Sequence, residues 1–199
     1  MNRLRRATPG EPSPKAVRRP RSSVTTLVAF AGLPGTGKST LARRVASELG
    51  APLFDKDRVR DALFGPDHVA YTREQDDFVV EVLFQAIEHL LAHAPPKFVV
   101  LDGRTFSKKG QVEALRKFAR TRKLALRIVE CTCSATTARA RIERDARRRM
   151  HPAANRSFAL HRALAAVALP IPQPKQVLRT DEATVDELFA ACVRAVLDA

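Results

Sequence analysis

Residues 32–39 read Gly-Leu-Pro-Gly-Thr-Gly-Lys-Ser and follow directly on the apolar run Leu-Val-Ala-Phe-Ala at 27–31. An apolar strand, a glycine-rich turn and a helix form the local structure in which the pattern G-x-x-x-x-G-K-S binds phosphate. Glycines permit backbone angles that let successive N–H groups point at one anion, and the helix adds the positive end of its dipole. The stretch therefore predicts a nucleoside triphosphate site, against the alternative of a glycine-rich turn that binds nothing.

The loop residues divide into those that bind the nucleotide and those that act on it. Lys38 is predicted to reach the β- and γ-phosphates, and the hydroxyl of Ser39 to ligate Mg²⁺. The residues predicted to bind the nucleotide are Gly32, Gly35, Thr36, Gly37, Lys38, Ser39 and Thr40.

The bulk composition is that of one ordinary globular domain. The chain has 199 residues, of which 45% are hydrophobic and 28% charged, and no run of 18 apolar residues occurs. This excludes a membrane span, and the first residues lack the apolar segment of a signal peptide. An odd count of three cysteines is typical of reduced thiols, so the sequence indicates a cytoplasmic protein.

The net charge of +14 is concentrated toward the start of the chain, where residues 1–25 hold seven of the 35 basic residues and one acidic residue. Residues 1–24 are rich in Arg, Pro and Ser and are predicted to be a disordered basic tail, with a single domain over 25–199. Such a tail is either a solvated leader or an electrostatic tether to nucleic acid or another polyanion.

Strand and helix patterns alternate along the domain. Strands are predicted at 27–31, 52–54, 98–101, 124–130 and 175–179, and helices at 38–49, 57–64, 72–93, 108–122, 135–149, 157–167 and 185–197. This alternation predicts a three-layer α/β fold, with a five-stranded parallel sheet covered by helices on both faces. Ligands bind beyond the carboxyl ends of such strands, where Gly32, Asp55, Asp57, Asp102 and Arg104 are expected to converge.

Asp55, Asp57 and Arg60 follow the second predicted strand and are candidates for binding a substrate. A carboxylate there can accept the proton of an attacking hydroxyl or orient that hydroxyl. Arg60 lies one helical turn after Asp57 and could hold the acceptor or the moving phosphoryl group. An Asp at this place can instead cap the helix, and for Asp55 both interpretations stay open.

Asp102 and Arg104 follow the third strand, and a basic helix begins further along. An apolar strand that delivers Asp102 beside a phosphate loop predicts a Mg²⁺ ligand, while Arg104 could meet substrate or phosphate. Arg141 and Arg144 share one side of the predicted helix at 135–149. They indicate a mobile basic lid at about 139–156 that brings cations over the triphosphate, although a solvated helix face is the alternative.

These motifs occur together in an order that resembles the zeta-toxin and polynucleotide-kinase-like family of small P-loop kinases. The resemblance covers about residues 25–197 and rests on the loop at 31–40, the pair Asp57 and Arg60, the segment 100–106 and the arginine-rich helix after Cys131. It implies a nucleoside-kinase-like fold, ATP with Mg²⁺, and transfer of the γ-phosphoryl group to a hydroxyl. Asp57 would be the base on the acceptor side, Arg60 its partner, and Arg141 or Arg144 the lid cations.

The function expected from sequence is that of an ATP-dependent kinase that phosphorylates a hydroxyl of a small molecule. Two alternatives stay open, namely a 5′-hydroxyl polynucleotide kinase, which the basic tail and lid would suit, and an ATP-binding regulator or NTPase. The expected partners are ATP and a hydroxyl-bearing acceptor, with nucleic acid as a further candidate and no membrane. The acceptor's identity and the oligomeric state cannot be read from the sequence.

Overall fold

A single parallel sheet organises the computed structural model, which describes residues 24–148 and 155–197. The strands are β1 (Thr26–Ala31), β2 (Leu53–Asp55), β3 (Phe98–Asp102), β4 (Ala125–Thr132) and β5 (Gln176–Arg179). They lie in the order β2-β3-β1-β4-β5, and each neighbouring pair is parallel. The helices are α1 (Lys38–Glu48), α2 (Lys56–His68), α3 (Arg73–His93), α4 (Gln111–Thr121), α5 (Ala135–Arg147), α6 (Phe158–Ala166) and α7 (Val185–Leu197).

Strand β1 lies at the centre, and its side chains enter two separate cores. Val28 and Phe30 pack on one face with residues of α1 and α7, whereas Leu27 and Ala29 pack on the other face with residues of α3 and α4. All four side chains are fully buried. The continuous apolar run of β1 is therefore explained by a strand that has helices on both sides, as in parallel sheets generally.

The chain order of the strands creates a crevice at the end of β1. After β1 the chain moves to β2 and β3 on one side of it, and then to β4 and β5 on the other. In a sheet of this kind the crevice at the carboxyl end of the switch-point strand is where ligands bind. The loop that begins at Gly32 leaves the sheet at this point.

The predicted five-stranded α/β fold is confirmed, and the main differences lie at helix ends. The helix predicted at 57–64 begins at Lys56 and extends to His68, with a break where Gly65 leaves helical geometry. The helix predicted from 108 begins at Gln111, because residues 108–110 form a turn. The predicted tail falls almost entirely on residues outside the described part, as do residues 149–154 of the predicted lid.

Within residues 24–148 and 155–197, no helix combines the length and the apolar character that crossing a bilayer requires.

Candidate active site

The loop between β1 and α1 has the geometry of a phosphate cradle. At Gly32 a side chain is not tolerated, because a Cβ atom would lie 2.3 Å from the carbonyl oxygen of Cys131 and φ is +132°. Helix α1 begins at Lys38 after Gly37, and no side chain caps its N-terminus. The first N–H groups of α1 therefore remain available to an anion, as the sequence predicts.

Three side chains from distant parts of the chain hold this loop from behind. His161 Nδ1 donates to the carbonyl oxygen of Pro34 (2.7 Å), so this nitrogen carries a proton. The Thr180 hydroxyl donates to the carbonyl oxygen of Thr36 (2.7 Å). Arg141 in turn donates to the hydroxyl and to the carbonyl oxygen of Thr180, both at 2.8 Å. Of these, the sequence singled out Arg141 alone as a site residue.

A cavity of about 320 Å³ opens in front of the loop and is called the loop cavity. Five predicted nucleotide-binding residues line it: Gly35, Gly37, Lys38, Ser39 and Thr40. Five arginines line it as well, namely Arg43, Arg141, Arg144, Arg148 and Arg156, whereas Asp145 is its only acidic residue among those described. Such an excess of cations suits a polyanion such as a triphosphate.

Gly32 and Thr36 are the two predicted nucleotide-binding residues that do not line the loop cavity. Gly32 allows the loop to pass close to the backbone of β4. Thr36 is buried, and its hydroxyl donates to the carbonyl oxygen of Leu33 (2.8 Å). Both residues shape the loop from within.

Asp102 ends β3, beside β1, and is only 1% exposed. Among the described residues, neither of its carboxylate oxygens has a hydrogen-bond partner. A buried carboxylate without a partner is costly, and a divalent cation with its water ligands would satisfy it. The chain therefore fits the Mg²⁺ that accompanies a triphosphate, with the hydroxyl of Ser39, in the loop cavity, as the second predicted ligand.

A second cavity, of about 150 Å³, lies next to the loop cavity. Its charged lining residues are Lys38, Lys56, Asp57, Arg60, Asp76, Arg104, Lys108 and Arg156. Pro34, Leu160 and Leu164 form an apolar part of the wall. The structure thus brings the predicted substrate residues Asp57, Arg60 and Arg104 together around one cavity.

Four of these side chains form a compact ion-pair cluster. Lys56 Nζ lies 2.8 Å from Asp76 Oδ1 and 3.4 Å from Asp57 Oδ1. Arg60 contacts the same two carboxylates, with Nη1 3.3 Å from Asp57 Oδ1 and Nη2 donating to Asp76 Oδ1. Burial lowers the pKa of Lys56 to about 8, although the neighbouring Asp57 opposes that shift. Arg60 and Asp57 are therefore partners as predicted. The sequence did not indicate Lys56 and Asp76 as residues of the site.

Asp55 caps helix α2 and lines neither cavity. Its Oδ1 accepts from the backbone N–H groups of Asp57 (3.0 Å) and Arg58 (3.3 Å). Burial raises the pKa of Asp55, and the charge of Asp102, its register partner on β3, raises it further. Of the two interpretations that the sequence left open, the observed contacts favour the helix cap.

Arg104 reaches the second cavity from the end of β3, and Gly103 makes this approach possible. A Cβ atom on Gly103 would lie 2.8 Å from Lys56 Cβ and 2.9 Å from the Lys56 nitrogen, so only glycine allows this close approach. Arg104 donates to Asp77, and its Nε is buried without a partner among the described residues.

Lys38 and Arg156 are the two described residues that line both cavities. Arg156 Nη1 donates to Asp145 Oδ2 (2.8 Å), and the Arg156 side chain is only 15% exposed. It follows residues 149–154 in sequence and precedes α6. Sequence reasoning missed Arg156 because an isolated arginine between two helices carries no periodic signal.

The two predicted lid arginines differ in their surroundings. Arg141 is held by Thr180 and lies 3.5 Å from the carbonyl oxygen of Gly35. Arg144 is 54% exposed and pairs with its neighbour Asp145 at 3.4 Å. Both line the loop cavity and neither lines the second cavity.

Comparison with known proteins extends these observations. A shikimate kinase of Paracidovorax citrulli (strain AAC00-1) is 33% identical over 91 residues, which are 43% of this chain and 48% of that kinase. The chain thus matches about half the length of this curated relative.

Several solved structures share the fold at low sequence identity. The APS kinase CysC of Mycobacterium tuberculosis, in complex with AMPPNP and APS, has a TM-score of 0.62 and 20% identity, over 89% of this chain and 100% of that chain. A gluconokinase of Sinorhizobium meliloti 1021 has a TM-score of 0.60 and 16% identity, over 89% of this chain and 94% of that chain. At these identities the likeness shows the fold alone.

A family model settles the broader relationship. The model AAA_33, described as an AAA domain, matches residues 27–170, which contain the phosphate loop, both cavity-lining aspartates of α2 and α3, and Arg156. The narrower resemblance to zeta toxins and polynucleotide kinases stays a prediction. The chain belongs to the AAA_33 family of P-loop AAA domains.

Proposed function

We propose that this protein is an ATP-dependent phosphotransferase that moves the γ-phosphoryl group of ATP to a hydroxyl of a small molecule. One observation carries the proposal: the loop cavity and the second cavity meet at Lys38, the lysine of the phosphate loop. A kinase needs a nucleotide site and an acceptor site that share the phosphoryl group. A nucleotide switch needs only the first of these.

On the nucleotide side, the loop residues Gly32, Gly35, Thr36, Gly37 and Thr40 shape or line the cradle for the phosphates of ATP. Lys38 binds the β- and γ-phosphates, and Asp102 and Ser39 hold Mg²⁺. When bound, that ion neutralises charge on the phosphate oxygens. The apolar side chains of Val185 and Leu188, which also line the loop cavity, offer contact area for a base.

On the acceptor side, Asp57 accepts the proton of the attacking hydroxyl. The hydroxyl oxygen bonds to the γ-phosphorus, the bond from that phosphorus to the β–γ bridging oxygen breaks, and ADP leaves with the electron pair. Lys56 and Arg60 contact Asp57 and fix the orientation of its carboxylate. Arg60 and Arg104 also present cations to the acceptor or to the moving group.

The cations that follow the charge as it moves toward ADP come from α5 and from the segment before α6. Arg141 and Arg144 are the lid cations indicated by sequence, and Arg156 joins them because it lines both cavities. Hydrogen-bond donors aimed at developing charge contribute most where water is excluded. The mostly buried Arg156 meets that condition better than the exposed Arg144.

The size of the second cavity favours a small molecule over the two alternatives. Its volume of about 150 Å³ is below the range of roughly 300–1,000 Å³ that holds drug-sized ligands. A regulator or NTPase would not need a second, charged cavity beside the triphosphate. A polynucleotide 5′ end stays the runner-up acceptor, because phosphate contacts alone could hold it.

The test is transfer of label from γ-labelled ATP, with Mg²⁺, to a panel of acceptors. The panel holds sugars, sugar acids, nucleosides, nucleotide sugars, aminoglycosides and a 5′-hydroxyl oligonucleotide. We expect label on a small molecule, and Asp57→Asn is expected to reduce transfer by about 10²-fold or more, the usual contribution of a general base, with ATP affinity nearly unchanged.

Asp61→Asn is the matched control, because Asp61 lies one turn further along α2, is exposed, and lines neither cavity. Equal transfer by wild type and Asp57→Asn would remove Asp57 from the mechanism. Label on the oligonucleotide would establish the runner-up, and label in free phosphate alone would establish an NTPase.

A further inference from the structure

The second cavity carries more positive charge than its own carboxylates neutralise. Six cationic side chains and two carboxylates line it among the described residues, the cations being Lys38, Lys56, Arg60, Arg104, Lys108 and Arg156. Asp57 and Asp76 are the two carboxylates, and both are engaged by Lys56 and Arg60. These four charges therefore balance and leave four cations to be explained.

Two of the remaining cations have partners outside the cavity that they share with other arginines. Arg156 pairs with Asp145, which also contacts Arg144 at 3.4 Å. Arg104 pairs with Asp77, which also contacts Arg73 at 3.5 Å. One carboxylate that serves two guanidinium groups leaves a surplus of positive charge. The Nε of Arg104 also lacks an acceptor among the residues that the structure describes.

Lys38 and Lys108 have no ion pair with any described residue. Lys38 is accounted for by the triphosphate in the loop cavity. Lys108 is half-buried in the turn before α4, and it lines the second cavity only. An ammonium group that is partly removed from water and lacks a counter-charge is stabilised by an anionic ligand.

We propose that the acceptor is a small hydroxy acid or sugar acid, whose anionic group binds Lys108 and Arg104 while its hydroxyl faces Asp57. This inference rests on the proposed phosphotransferase function and names its substrate class. The second cavity is small, about 150 Å³, and Arg104 and Lys108 both line it. A guanidinium and an ammonium together match the oxygens of a carboxylate. Asp57 and Asp76, already engaged by cations, leave the rest of the cavity positive.

The experiment measures binding apart from turnover. The full chain, with Mg²⁺ and the β,γ-imido analogue of ATP, is titrated by calorimetry with three matched pairs: gluconate and glucose, glycerate and glycerol, and shikimate and its methyl ester. In each pair the second compound lacks the negative charge. We expect an acid to bind at least about tenfold more tightly than its neutral partner, as charge-assisted hydrogen bonds to a carboxylate require.

Single-residue variants test whether Lys108 causes the preference for the acid. Lys108→Gln should weaken binding of the acid about tenfold and leave the neutral compound unchanged, and Lys108→Arg should restore the preference. Lys109→Gln is the matched control, because Lys109 is the exposed neighbour that does not line the cavity. Because Lys108 makes no ion pair within residues 24–148 and 155–197, its replacement should leave the melting temperature unchanged.

The outcomes separate this inference from the proposed function. If no acid binds more tightly than its neutral partner, or if Lys108→Gln binds the acid as the wild type does, the inference is overturned. If a neutral alcohol is phosphorylated in that case, the kinase function stands without the inference that the acceptor is an acid. If an acid binds with the expected dependence on Lys108 but neither it nor any other compound receives label from ATP, the second cavity is a site for acids, whereas the kinase function, and with it the role of the acid as acceptor, is overturned.

Discussion

The loop cavity and the second cavity lie side by side, but they are built in different ways. The loop cavity takes its predicted phosphate-binding residues from the stretch 35–40, which is continuous in sequence. The second cavity depends on side-chain pairs that are far apart along the chain, such as Lys56 with Asp76, 20 residues on, and Arg104 with Asp77, 27 residues before it.

The difference lies in what each cavity does with its charge. Among the described residues, most cations that line the loop cavity have no carboxylate partner, which suits a ligand that carries several negative charges. The second cavity pairs Lys56 and Arg60 with its own aspartates and so holds them in fixed positions. This paired cluster gives preorganised geometry, whereas the unpaired cations of the loop cavity, and Lys108 in the second cavity, give attraction for an anion.

Removing Lys38 should have the largest effect, because it is the residue that joins the two cavities. We expect Lys38→Ala to weaken ATP binding and to lower transfer by about 10³-fold, since a fixed cation on the transferred phosphoryl group is lost. Calorimetry with the ATP analogue and the label-transfer assay measure the two effects. Lys117→Ala, an exposed lysine on α4, is the control. Transfer within tenfold of wild type would show that Lys38 does not bind the transferred phosphoryl group.

Lys56 tests the paired cluster through the pH dependence of stability. Burial lowers the pKa of Lys56 to about 8 from an ordinary 10.5, so the unfolded chain binds more protons than the folded one between these pH values. Folding stability must therefore rise with pH in this window, and the cost of burying the charge is fully present below pH 8.

Relative to Lys56→Met, the free energy of unfolding of the wild type should rise by up to about 3 kcal/mol between pH 8 and 10.5, at about 1.4 kcal/mol per pKa unit. Urea unfolding at four or five pH values measures this difference. Parallel curves for the two proteins would contradict the lowered pKa of Lys56.

Replacing Arg156 or Arg144 should have the smallest effects of these substitutions on phosphoryl transfer, and the two effects should differ. Arg156→Ala is expected to lower transfer by about 10- to 100-fold, because a mostly buried cation that lines both cavities is lost. Arg144→Ala should lower it by less than about threefold, since exposed ion pairs contribute little. Rates measured with saturating ATP compare the two. A larger loss for Arg144 than for Arg156 would show that Arg144, one of the two lid arginines indicated by the sequence, is the more important cation for transfer.

A site residue could be predicted from the sequence when its role depends on residues close to it in sequence. Gly32, Lys38 and Ser39 could be assigned from sequence because a phosphate loop depends on local backbone geometry and on residues at set spacings. Asp102 could be assigned because a strand must end where its apolar run ends. Arg156 and Asp76 could not be assigned, because each is positioned by an ion pair with a residue of another element.

The two aspartates at the end of β2 show the same limit within three residues. Asp55 is the last residue of β2 and Asp57 lies two residues further on, and from the sequence either could have capped α2 or faced a substrate. In the structure Asp55 accepts the N–H groups of the helix, and Asp57 is left to line the second cavity. The hydrogen bonds from the first N–H groups of α2 decide between them, and a list of residues does not show which carboxylate accepts those bonds.

The sequence by itself determined the α/β fold, the five parallel strands, the glycine-rich loop after the first strand and the edge of the sheet where the candidate site lies. These depend on hydrophobic periodicity and on glycine positions, which are local properties of the chain. The tertiary structure alone decided the strand order, the capping role of Asp55, the lysine-arginine-aspartate cluster and the position of Arg156 between two cavities. Those features depend on which elements pack together. The partners and the pKa values of buried charged groups are determined by residues that are distant in sequence.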